Sequence, residues 1–174
     1  GGPVTLTDKR MTRFVMSIEQ AVHLVLESSS QARGGEVFVT KMPVIRIMDL
    51  AQAMIEELAP LYGYNHKNIK IVEIGTKAGE KLYEELMSPE ETRRAVEMTK
   101  YFSVLPAFRG IYHDIDYDYP DTISDTVTNP YVSADETILS VADIKKLLSS
   151  YKLLKQPDET SNNRYWPGDK EDQA

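Results

Sequence analysis

Apolar residues in this sequence change period several times, from the two of a strand to the 3.6 of a helix, and glycines mark the changes. "GGEVFV" (34–39) is a glycine turn running into a β-branched strand. "MDLAQAMIEELAPLYG" then sets Leu50, Ala51, Met54, Ile55 and Leu58 on one helical face, reaches Pro60 in its last turn and closes at Gly63. "IKIVEIG" alternates around Ile69 and Ile71 and reads as a second strand. The turn "GTKAGEK" (75–81) follows, and leads into a helix expected to end near Met87. Such alternation predicts an α/β fold, mixed α+β in character.

The flanking segments fit this frame. Ahead of it, "PVTLTDKRMTRFVM" reads as extended, and Ser17 with Gln20 makes a capping box. That box opens a helix of about two to three turns through Val22, Leu24, Val25 and Leu26. Ser88, Pro89 and Glu91 form another helix start. From Tyr101 to Ser133 no helical period is sustained, and loop with one or two short strands is expected. Ser140 and Asp143 cap a final helix, "SVADIKKLLSSYKLL". One domain over 1–154 and a polar, mobile tail over 155–174 are predicted.

Composition removes several function classes. The 174 residues are 41% hydrophobic, which is compatible with a real core. Cysteine is absent, so disulfides and thiolate metal sites are excluded. No apolar run approaches the roughly 18 residues of a membrane span, and no basic-then-apolar leader opens the chain. A cytoplasmic protein with no membrane partner is expected. The net charge of −7 is uneven: residues 110–144 hold eight acids and no Lys or Arg. A nucleic-acid footprint would be basic, and none is visible.

Four motifs carry possible chemistry. The turn Gly75–Lys81 is either a plain β–α connection or an anion site made from helix amides with Lys77 and Lys81. Arg13, in "MTRF", needs a carboxylate or a phosphate, and an internal salt bridge serves as well as a ligand. "DIDYD" (114–118) lacks the glycine of a calcium loop, with Tyr119 in its place, and reads as a solvated loop. "YKLLK" pairs Tyr151 with Lys155, but 10 Tyr in this length make such pairs common by chance, so no catalytic role is assigned. His23, His66 and His113 share no metal-ligand spacing, and His23 is expected at a packed or boundary position.

Taken together, "TDKRMTRFVMSIEQAVHLVLES", "GGEVFVTKMPVIRIMDLAQAM" and "GTKAGEKLYEELMSPEE" resemble one family. It is the polysaccharide-biosynthesis nucleotide-sugar dehydratases and epimerases, extended short-chain dehydrogenase/reductases that include UDP-N-acetylglucosamine 4,6-dehydratases. The likeness is close over residues 3–95 and looser to 154. It implies the C-terminal, substrate-binding half of that fold, without the Rossmann half that holds the glycine fingerprint, NAD(P) and the catalytic Tyr/Lys pair. That half is therefore an implied partner, and apolar surface left by its absence favours a homo-oligomer. The resemblance places Thr12, Arg13, Lys77 and Glu80 at the UDP-sugar. Arg13 and Lys77 would face the diphosphate, and Glu80 would accept from a ribose hydroxyl. Many relatives have Arg-Pro where this chain has Lys77-Ala78, which replaces a bidentate fork by a point charge. The implied chemistry is oxidation at sugar C4 by NAD(P), loss of water from C6 and hydride return, or inversion in an epimerase. All of it belongs to the other half, so these residues alone are expected to be inactive and to bind no cofactor. The alternative is a non-catalytic binding or scaffold module of the same fold.

Overall fold

The computed structural model describes residues 2–151 and 153–154. In chain order they form β1 (Val4–Leu6), β2 (Thr12–Phe14), α1 (Ile18–Gln31), β3 (Val37–Thr40), β4 (Val44–Arg46), α2 (Ile47–Leu61), β5 (Ile71–Glu73), β6 (Glu85–Met87), β7 (Ala95–Met98), β8 (Tyr101–Val104), β9 (Thr122–Ser124), β10 (Tyr131–Val132) and α3 (Val141–Ser150). The mixed α/β class is as expected. The tail predicted over 155–174 lies outside the described residues.

The helix ends follow local chemistry. Ser17 Oγ accepts from the Gln20 N–H at 3.1 Å, and Gln20 Oε1 accepts from the Ser17 N–H at 2.8 Å. α1 runs 14 residues, about four turns, longer than the apolar run alone suggests. α2 carries Pro60 in its last turn, and Gly63, at φ 76°, takes the left-handed conformation that stops it. Ser140 Oγ accepts from the Asp143 N–H at 3.2 Å at the start of α3.

Two expected helices are replaced by other structure. The helix expected from the glycine turn to Met87 does not form: the chain crosses as an irregular segment into β6. β6 pairs antiparallel with β10, and Met87 is fully buried there. Ser88 and Glu91 do interact as read, with the Ser88 hydroxyl and N–H both donating to the Glu91 carboxylate at 2.7 and 2.8 Å. They open only one 3₁₀ turn, Glu91–Arg94, before the hairpin of β7 and β8.

That hairpin lies in the antiparallel sheet β3-β8-β7-β9. All of β8, "YFSV", is buried. Phe102 and Val104 join Val39, Met87, Ala95 and Tyr131 in one apolar cluster. Tyr101 and Leu105 join Val96, Met98 and Tyr119 in another. A strand covered on both sides shows no polar alternation, and three short strands, β8, β9 and β10, form where one or two were expected over Tyr101–Ser133. Ser103 is tolerated inside because its hydroxyl donates to Tyr119 Oη at 3.0 Å.

A third cluster joins Ile45, Ala53, Ile144 and Leu148 and fixes α3 to α2 and β4. Lys145 reinforces it, 2.7 Å from Glu56 and 3.1 Å from Glu57. The apolar face of α2 read from sequence lines a groove of about 740 Å³ instead, opposite Val4, Leu6 and Ile69. His23 is exposed on α1, contrary to its expected packed or boundary position. The acids of "DIDYD" are exposed too, and among the described residues no three metal-ligating side chains come together.

Candidate functional site

The turn after β5 folds through two glycines in the left-handed region, Gly75 at φ 88° and Gly79 at φ 83°. Glu80 closes it. Its Oε2 accepts from the Lys77 N–H at 3.1 Å, and its Oε1 accepts from the Thr7 hydroxyl at 2.9 Å. Those two bonds, with the nearby charges of Lys77 and Arg13, hold the Glu80 carboxyl below the usual glutamate range. One side chain thus shapes the turn and ties it to the segment following β1. No helix starts here, so helix amides supply no anion site at this turn.

Arg13 approaches the same turn from β2. Its Nη1 donates to Thr12 O at 2.7 Å, its Nη2 to Lys81 O at 2.6 Å, and its Nε lies 3.2 Å from Glu84 Oε1. The internal ion pair weighed from sequence is therefore present. A guanidinium has five N–H donors, and these contacts use three. Thr12, beside it, is buried, with Oγ1 2.9 Å from Ser133 Oγ.

Three further cations were not singled out from sequence. Lys9, Arg10 and Arg46 line a cavity of about 440 Å³ with Thr12, Met48, Ala134 and Ile138. Arg10 is oriented by Asp8, whose carboxylate accepts from its Nε and Nη2 at 3.0 and 2.7 Å and from its N–H at 2.8 Å. These contacts bring Asp8 down to about 2. The basic run in "TDKRMTR" was the available signal. Arg46 carried none, because it comes from the end of β4.

Thr12, Arg13, Lys77 and Glu80 thus meet at one corner, although up to 68 residues separate them in sequence. The link is short: Arg13 grips Lys81, and Glu80 grips Lys77. The corner sets the Arg13 and Lys77 cations beside the Glu80 and Glu84 carboxylates, with its Thr7 and Thr12 hydroxyls already bonded to Glu80 and Ser133. Tyr151 follows α3 and lies apart from this network, and Lys155 is outside the described residues. The described β–α and β–turn junctions carry no G-x-G-x-x-G, and the parallel pair β1–β5 leads into the Glu80 turn rather than into a helix. No described helix is long and apolar enough to cross a membrane.

Comparison with known proteins agrees with the resemblance. An uncharacterized membrane protein of Methanocaldococcus jannaschii is 45% identical over 88% of this chain and 43% of its own length. A UDP-N-acetylglucosamine 4,6-dehydratase (inverting) of Campylobacter jejuni is 36% identical over 64% of this chain and 30% of its own. A UDP-glucose 4-epimerase of Rickettsia canadensis is 32% identical over 85% of this chain and 41% of its own. The X-ray structure of Pen from Bacillus thuringiensis superposes with a TM-score of 0.74 at 37% identity, covering 88% of this chain and 42% of that one. The chain therefore spans less than half the length of these relatives. Residues 1–106 match the family described as polysaccharide biosynthesis protein, and the chain belongs to that family.

Proposed function

We propose that these residues form the nucleotide-sugar-gripping part of an NAD(P)-dependent UDP-sugar 4,6-dehydratase acting in polysaccharide biosynthesis. The observation that carries the reading is the convergence of Arg13 and Lys77 on the Glu80 turn. In this reading the two unspent N–H groups of Arg13 and the Lys77 ammonium neutralise the diphosphate. The Glu80 carboxylate keeps lone pairs beyond its two bonds, and accepts from a ribose hydroxyl with them. Thr12 backs Arg13. The cavity of Lys9, Arg10 and Arg46 lies against Thr12, with Arg10 paired to Asp8 and Arg46 to Asp49.

In this reading the hydride chemistry belongs to protein outside the described residues. The chain by itself is then expected to turn over no UDP-N-acetylglucosamine. An epimerase is the second reading, favoured by the likeness to the Rickettsia enzyme. Both readings share the grip on the UDP group.

Calorimetric titration with UDP and UDP-N-acetylglucosamine tests that grip. Binding is expected for both ligands, and Lys77→Glu should weaken it about tenfold, equivalent to about 1.4 kcal/mol. Arg13→Ala should weaken it further, though it also strands Glu84. A folded chain that binds neither ligand would mean that the site needs the other half of the fold, or that the non-catalytic module is the better reading.

A further inference from the structure

Ser133 lies in the segment following β10, beyond the residues that match the family, yet it sits inside the candidate site. It is fully buried. Its N–H donates to Glu84 O at 2.8 Å, and its Oγ accepts from the Glu84 N–H at 2.9 Å. The same Oγ lies 2.9 Å from Thr12 Oγ1 and 3.3 Å from Thr12 O.

A hydroxyl has one proton and two lone pairs. With the Ser133 proton on Thr12 O, its lone pairs accept from the Glu84 N–H and the Thr12 hydroxyl, although either hydroxyl can be the donor of the Thr12–Ser133 contact. Every capacity of the group is then used, at a position where Ser133 is fully buried. Thr12 O also accepts from Arg13 Nη1, and Glu84 faces Arg13 Nε. Thr12 N–H completes the frame by donating to Leu82 O at 2.9 Å. Two of the three groups that hold the Arg13 guanidinium, Lys81 O being the third, are therefore anchored on one serine.

We propose that Ser133 is a positioning residue for the diphosphate site, acting through Thr12 and Glu84 to set where Arg13 points. This role rests on the reading of Arg13 given above. Ser133 touches no ligand in it. Removing its hydroxyl takes a partner from the Glu84 N–H and from the Thr12 hydroxyl, and re-pairing them shifts β2 relative to residues 81–85. The guanidinium moves with them.

The test uses the full chain and two probes, uridine 5′-diphosphate and uridine. Ser133→Ala is expected to raise the dissociation constant for the diphosphate about tenfold and to leave that for uridine within about twofold. Thr12→Val, which keeps the shape and removes the hydroxyl, should repeat the effect. Thr12→Ser, which restores the hydroxyl, should recover most of it. General loosening of the fold would weaken both probes and would not be rescued by Thr12→Ser. The Thr12 pair also decides the matter if Ser133→Ala fails to fold. Diphosphate binding that is equal in the unsubstituted chain, Ser133→Ala and Thr12→Val overturns the positioning role and leaves the site intact. No diphosphate binding by the folded, unsubstituted chain overturns the site, and the positioning role falls with it.

Discussion

α1 and α3 begin alike and are held differently. Each opens on a serine whose Oγ accepts from the N–H three residues on. Each is amphipathic. Yet α3 buries Ile144 and Leu148 against α2 and β4, whereas α1 has no buried residue and leaves Ile18, Val22, Val25 and Leu26 exposed. Leu24 is its partial apolar contact with the Tyr101 cluster. Its firmer attachment is polar: Glu27 accepts from Tyr101 Oη at 2.7 Å and from Lys100 Nζ at 3.0 Å. Caps and periodicity make a helix, and what covers its apolar stripe is a separate matter of tertiary supply.

The largest expected effect breaks the better-covered helix. Ile144 is 0% exposed, and Ile144→Ala removes its side chain from a packed cluster. A loss of about 2–5 kcal/mol in urea unfolding is expected. Val25→Ala on α1, at 63% exposure, should stay within about 0.5 kcal/mol. Comparable losses at the two positions would show that α1 is covered in solution by something the described residues do not include.

Cap removal sharpens the same contrast at smaller scale. Ser140→Ala should lower global stability by about 1 kcal/mol, because α3 cannot fray without uncovering Ile144. Ser17→Ala should act locally, seen as faster amide exchange in the first turn of α1 with little change in the urea midpoint. A midpoint shift as large as that of Ser140→Ala would place α1 within the cooperative unit.

How far the sequence could be read follows the same division. Serine caps, the glycine stop after α2 and the strands β3 and β5 are set by neighbours in the chain, and were legible. β6 and the β7–β8 hairpin were not, because their reasons are long-range. Met87 and "YFSV" take extended form to fill clusters supplied by Val39, Tyr119 and Tyr131. The site divides likewise. The family resemblance carried by "MTRF" and "GTKAGEK" points to Thr12, Arg13, Lys77 and Glu80, whereas Ser133 and Arg46 join them only through strand pairing that no local pattern announces.

The pH dependence of α1 is the smallest effect and the most specific to how that helix is held. The Tyr101 hydroxyl and the Lys100 ammonium hold the Glu27 carboxyl below its usual range. Burial, and then Glu27 itself, push Tyr101 up from 10.0 to about 12. For Glu27 the folded value is depressed, so its contribution is present above the ordinary glutamate value and lost as pH falls through the lowered one. For Tyr101 the folded value is raised, so its contribution is complete below 10.0 and lost as pH rises through about 12. Attachment of α1 should therefore be flat across neutral pH and loosen at both extremes. Protection factors for Val22–Glu27 amides, corrected for intrinsic exchange, measure it. Tyr101→Phe should lower them already at neutral pH and shrink their fall in acid, since Lys100 alone remains to hold the carboxylate. α3 amides should be unmoved by that substitution. A profile unchanged in Tyr101→Phe would mean that the Lys100–Glu27 pair and the partial packing of Leu24, and not the Tyr101–Glu27 hydrogen bond, keep α1 on the sheet.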